Sequence, residues 1–202
     1  QRVMDPASYW ESRARQFGCR SVLNLAHPES EFEAVTRHQL ETLMPLLRSQ
    51  LNGTERRILD FGCGPGRFTP HLASQINGHA IGFDISQAMV ALAPQCDGVT
   101  YQSGDISALE AIERVDVLWI CLVLGGIPEG MLQQTVSRLL RILNSGGLVF
   151  LVENTSRRAD VQHWFYRNMD YYCKLFPGVE LKVISTYHDA GEEISVFAGH
   201  KS

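Results

Sequence analysis

Residues 58–69, ILDFGCGPGRFT, constrain the fold of this chain more than any other stretch. Ile58, Leu59 and Phe61 make a short apolar run of the kind that forms a buried strand. Gly62, Gly64 and Gly66 then turn the chain, and a helical pattern opens at Arg67. Strand, glycine turn and helix start together make a cradle for a nucleotide-type ligand. Glycine lets the main chain approach a ligand with no Cβ between them. The helix start leaves free N–H groups and a partial positive charge for anionic or polar ligand atoms. The spacing differs from the dinucleotide fingerprint G-x-G-x-x-G, in which the third glycine follows the second by three. Arg67 stands where that glycine would be, and Asp60 precedes the turn. On the glycines alone, a plain tight turn is the competing reading.

The rest of the chain supplies context. Residues 5–17 read as a helix with Asp5 as N-cap, Pro6 at its first position and Gly18 as its stop. Residues 20–30 read as a polar loop, with His27 at the surface. Residues 31–50 form a long amphipathic helix that Pro45 kinks or splits. From Arg56, strand-like and helix-like runs alternate, the signature of a parallel sheet with helices on both faces. Residues 79–86 are a second strand ending in Asp84, and Val99–Gln102 is a third, followed by Gly104 and Asp105. Helices are expected at 68–76 and 87–93. Val115–Leu124 is apolar nearly throughout, as a central strand covered on both faces must be. A helix at 129–143 and a turn at 144–147 lead into a fifth strand at 148–152. A helical, aromatic-rich insert spans about 157–176, and strands at 182–187 and 194–200 close the sheet. The organisation expected is an N-terminal helical cap over 1–55 and one α/β domain over 56–202. A chain of 202 residues is long enough for one domain with a sizeable core.

Composition excludes some partners. A net charge of −4 gives no broad basic surface for nucleic acid. No apolar run approaches the roughly 20 residues of a membrane span, and the start lacks a signal-peptide pattern. The five cysteines are scattered, with no C-x-x-C and no zinc spacing, so no metal site is expected. Reduced thiols in a cytoplasmic protein are the simplest reading. The chain begins at Gln1, as a trimmed or excised piece would.

The G-x-G-x-G turn after Asp60 resembles motif I of the class I S-adenosylmethionine-dependent methyltransferases, and Asp84 and Gly104-Asp105 resemble their motifs II and III. The resemblance covers about residues 56–155 well and the last two strands loosely. It implies a doubly wound, seven-stranded, mostly parallel sheet in the order 3-2-1-4-5-7-6, with a final antiparallel strand and an N-terminal helical lid. It implies S-adenosyl-L-methionine as cofactor, held by Asp60, Gly62, Cys63, Gly64 and Gly66. Asp84 would accept from both ribose hydroxyls, which a carboxylate does better than a neutral side chain, with Ile85 along the adenine. Its competing role is to cap the helix starting near Ser86. Asp105 would accept from the adenine amino group while Ile106 packs on the ring; capping the segment from Ser107 is the competing, compatible role. Cys121 would offer its backbone carbonyl to the cofactor's ammonium. Tyr9 and Arg13 would reach over the cofactor carboxylate, unless the first helix merely packs Trp10 and Phe17 on the core.

The methyl acceptor is expected between that lid, the end of the fifth strand and the insert. Glu153, His163 and Tyr166 are the candidate catalytic groups, and Asn154 and Tyr171 the candidate substrate contacts. His163 is the best general-base candidate, because an unperturbed imidazole titrates near neutrality; a surface histidine is the competing reading. The (Asn/Asp)-Pro-Pro-aromatic motif of the DNA amino-group enzymes is absent after the fourth strand. The activity expected is methyl transfer to an oxygen or nitrogen of a small molecule or glycan end. The alternatives are a protein N-terminal amine methyltransferase, a silent methyltransferase-like binding module and a nicotinamide dehydrogenase, the last opposed by the glycine spacing. The oligomeric state is not assigned.

Overall fold

Alternate residues of the central strands bury opposite faces of one sheet, and this builds two cores. The computed structural model describes residues 5–23 and 27–202. Its strands are β1 (Arg57–Phe61), β2 (His79–Asp84), β3 (Val99–Ser103), β4 (Val115–Cys121), β5 (Leu143–Asn154), β6 (Lys182–Asp189) and β7 (Glu192–His200). They form one seven-stranded sheet in the order β3-β2-β1-β4-β5-β7-β6. The pairs from β3 through β5 are parallel, and β7 runs antiparallel to both β5 and β6. This is the order and direction expected.

Leu59, Phe61, Leu118 and Ile120 face one side. There they meet Leu132, Val136 and Leu139 of helix α5 (Glu129–Ile142). Ile58, Val117 and Trp119 face the other side. They meet Leu43 and Leu47 of α2 (Phe32–Gln50) and Leu72 and Ile76 of α3 (Thr69–Ile76). The period of two in a strand produces this division. The first helix, α1 (Pro6–Phe17), is capped by Asp5, whose carboxylate accepts from the Ala7 and Ser8 N–H groups, and it ends at Gly18 as expected.

Four local expectations change. Pro45 lies inside a continuous α2, on its exposed face, where the carbonyl left without a donor meets water. The helix after β2, α4, is only Gln87–Val90. Bonds from Leu92 to Met89 and from Ala93 to Val90 tighten the chain ahead of Pro94. Residues 144–147 form an excursion within β5 rather than a separate turn, because Val115 pairs with Leu143 and Val117 already with Leu148. The insert is largely irregular, with one short helix, α6, at Met169–Cys173. Arg167 donates to the Leu124 and Ile127 carbonyls, and the Tyr166 N–H donates to Asp160. The Arg167 bonds tie the segment to the loop after β4, the Asp160 bond closes it on itself, and together they override its helical pattern. Of the loop expected at 20–30, residues 24–26 lie outside those described.

Candidate functional site

The turn after β1 is shaped by its neighbours. The N–H groups of Gly62 and Cys63 both donate to the Phe83 carbonyl, at 2.7 and 3.0 Å. Gly62 and Gly64 have φ of 73° and 53°, a region glycine enters without penalty. A Cβ on Gly62 would stand 2.4 Å from Val123, and one on Gly64 2.7 Å from Val22. Asp84, at the end of β2, braces the turn. Its Oδ2 accepts the Gly64 N–H at 2.8 Å and its Oδ1 the Ser86 N–H at 2.9 Å. Burial pushes its carboxyl above the usual range, against the pull of those two donors. The cap of α4 is the Ser86 side chain, which accepts the Met89 N–H. Asp60 sits beneath the turn, 2 % exposed, and accepts the Thr69 hydroxyl at 2.7 Å. Burial, helped by the nearby Asp84, raises its pKa to about 7.

These elements open onto a cleft of about 150 Å³ at the carboxyl ends of the central strands. That is the place where open α/β sheets bind ligands. Asp60, Gly62, Cys63, Asp84, Ile85, Ile106 and Cys121 all line it. The structure thus brings together seven residues singled out from the sequence. Asp105 is exposed and accepts the Ser107 N–H at 2.8 Å, capping the turn at Ile106–Ala111; its neighbours Gly104 and Ile106 face the cleft.

Other candidates stand elsewhere. Arg13 Nε donates to the Ser21 carbonyl at 2.7 Å, and its Nη1 to the Tyr9 hydroxyl at 3.1 Å. It therefore braces the chain after α1 instead of lining the cleft. The Tyr9 ring stacks on His163 with centroids 3.9 Å apart, and the neighbouring Trp10 is the α1 aromatic that reaches the cleft. Glu153 was expected at the acceptor. It is fully buried and points into the loop after β4, accepting the Val123 and Leu124 N–H groups at 2.9 and 2.6 Å. Three unpaired N–H groups there need an acceptor, and the Gly125 N–H at 3.4 Å is the third. Asn154 and Tyr166 both donate to Glu192, and Tyr171 donates to Glu129 at 2.6 Å. These side chains fasten the insert and the β6–β7 hairpin, and none lines the cleft.

Sequence reasoning missed the cleft roles of Trp10, Leu122 and Arg67. Leu122 has φ of 56°, and its N–H is held by the Val152 carbonyl at 2.7 Å. No residue type signals that conformation. Arg67 was visible only as the residue standing in a glycine's place.

Among the described residues no group of three or more His, Cys, Asp or Glu could hold a metal ion, and no helix is long and apolar enough to cross a membrane. A family model described as a methyltransferase domain matches residues 58–147. The chain is 21 % identical over 182 residues to a phosphoethanolamine N-methyltransferase of Triticum aestivum, covering 83 % of this chain and 34 % of that protein. It is 34 % identical over 93 residues to a trans-aconitate 2-methyltransferase of Methylobacterium nodulans, covering 45 % of this chain and 35 % of that protein. The chain thus spans about a third of the length of these two curated relatives. Its fold matches the magnesium protoporphyrin IX methyltransferase of Synechocystis PCC 6803, crystallised with S-adenosylmethionine, with a TM-score of 0.75 and 17 % identity over 100 % of both chains. Motif, sheet order and family match agree: residues 58–147 match a methyltransferase-domain family, and the whole sheet has the fold of a methyltransferase crystallised with S-adenosylmethionine.

Proposed function

We propose that the protein transfers a methyl group from S-adenosylmethionine to an oxygen or nitrogen of a small molecule or glycan end. The observation that carries this reading is the pairing of Asp84, which lines the cleft, with the Gly64 N–H of the glycine turn. It places an acceptor-only carboxylate beside bare main chain, which suits a ribose lying across a glycine turn. The donor set fits the cofactor. Ile85 and Ile106 offer apolar surface for the adenine, and Cys121 at the end of β4 offers a main-chain acceptor for the ammonium; Asp105, exposed beside the cleft, takes no part. When bound, the cofactor would supply an electrophilic methyl on a sulfonium for an acceptor lone pair to attack, the thioether leaving with the C–S electron pair. This chain's own contribution is alignment and exclusion of water, which can supply about 7–11 kcal/mol in favourable cases. Trp10 lines the cleft from α1, and Glu153 fixes the loop after β4 that also lines it.

Glu153, Asn154, Tyr166 and Tyr171 carry no direct role in this reading, since each is committed to another group. His163, stacked on Tyr9, also stands outside the residues lining the cleft, so this reading assigns no general base. The relatives' printed names include both nitrogen and oxygen methylation, and phosphoethanolamine and trans-aconitate among their acceptors support a small molecule. All five cysteines are free, which favours a reducing, cytosolic setting. The test is incubation of a cell extract with the protein and methyl-labelled donor. Label should enter a small molecule with the wild type and not with Asp84→Ala. Label in no product, or equal label with both, contradicts the reading.

A further inference from the structure

We propose that Arg67 receives a carboxylate of the methyl acceptor, which makes the substrate an acid. The inference rests on the methyltransferase reading above. Arg67 lines the cleft beside Cys121 and Leu122, at the end of β4. Its guanidinium lies over the Phe68 ring, 4.7 Å from the centroid. One of its nitrogens, Nη1, donates to two neutral oxygens of α2, Thr36 Oγ1 at 3.1 Å and Gln39 Oε1 at 2.7 Å. Among the described residues no ion pair includes Arg67. The two carboxylates lining the same cleft are already engaged, Asp60 by Thr69 and Asp84 by two N–H groups.

A half-buried guanidinium with no carboxylate in ion-pair reach among the described residues is costly, and its rigid fork fits a carboxylate with two parallel bonds. Burial lowers its pKa, and the charges of Asp60 and Asp189, too far for an ion pair, pull it part of the way back. A second donor lies at the same end of the sheet. The buried hydroxyl of Tyr187, on β6, has no partner, and Tyr187 and Arg67 are close enough to affect each other's ionisation.

A carboxylate at Arg67 has two sources, the acceptor and the cofactor's amino-acid tail. The anchors favour the acceptor. Thr36 and Gln39 belong to α2, outside the residues 58–147 that the family shares. Arg67 itself lies within those residues, and its tether to α2, outside the matched frame, is what sets it apart from the cofactor contacts.

Thermal shift with a panel of aliphatic, aromatic and dicarboxylic acids tests this, with the corresponding amides as controls. Each is titrated into the free protein and into the protein saturated with S-adenosylhomocysteine. At least one acid should stabilise the wild type where its amide does not. Arg67→Gln should weaken that acid about tenfold or more, and Arg67→Lys should weaken it less. Thr36→Val with Gln39→Leu removes the tether but keeps the cation, so the acid should still bind. Calorimetry with S-adenosylhomocysteine and with methylthioadenosine, which lacks the carboxylate, separates the two sources. Arg67→Gln should leave both affinities within about twofold of wild type. If it weakens the first and spares the second, the cofactor's tail is the anion and the proposal is wrong. It is also wrong if no acid binds, or if Arg67→Gln binds acids as well as wild type does. Acids bound through Arg67 by a wild type that ignores S-adenosylhomocysteine would overturn the cofactor reading alone.

Discussion

Glu153 accepts the Leu124 N–H at 2.6 Å, so a buried carboxylate of β5 holds the loop that walls the cleft beyond β4. Glu153→Ala leaves three backbone donors without an acceptor and should cost about 3 kcal/mol in urea unfolding. Glu153→Gln keeps one good acceptor and should cost less. Stability unchanged in the alanine variant would contradict the bracing role.

The same carboxyl sets a pH dependence. Burial raises its pKa from 4.5 to about 7, and Asp60 is raised to about 7 as well. The native state therefore keeps protons that the unfolded state releases between about pH 4.5 and 7. Each group's contribution is greatest below its ordinary value and is lost as pH rises through about 7. Unfolding free energies measured from pH 5 to 8 should fall with pH, and Glu153→Gln should flatten the slope. An unchanged slope would mean that Glu153 is ionised throughout.

Two glycines separate strain from crowding. Gly62 and Gly146 share nearly the same φ, 73° and 75°, but only Gly62 has a neighbour where its Cβ would go. Gly146→Ala should cost about 1 kcal/mol from backbone strain alone. Gly62→Ala should cost about 1–3 kcal/mol more, and adding Val123→Ala should recover part of that excess. Equal losses at the two positions would remove crowding from the account of the turn.

One acid ties the first helix to the start of α4. Glu11 of α1 accepts the Ser86 hydroxyl at 2.6 Å and the Ala88 N–H at 3.2 Å. Glu11→Ala should speed hydrogen exchange across residues 6–17 while the sheet keeps its protection. Unchanged protection of α1, or loss of protection throughout, would show that this helix is held otherwise.

The frame of this protein was legible because its signals are local. The apolar run of β4, the glycines after β1 and the acid ending β2 each specify their own backbone or sit at a fixed topological place. Seven sequence candidates accordingly meet at one cleft. The acceptor side was not legible, because its residues are fixed by distant partners. Arg13 looked free but is consumed by the Ser21 carbonyl, and Glu153 looked catalytic but answers the donors of another strand's loop. The insert's helical pattern lost to ties from Arg167 and Asp160 that no periodicity reveals. Arg67 carried a visible departure from the fingerprint, but its tether on α2 exists only in three dimensions.

Calorimetry with S-adenosylhomocysteine, comparing wild type with Asp84→Asn of verified fold, tests the central claim most directly. The account predicts one site on the wild type and an affinity about 10–100-fold weaker in the variant, the loss of one or two charge-assisted hydrogen bonds. No binding to the wild type, or equal binding by both proteins, would contradict it.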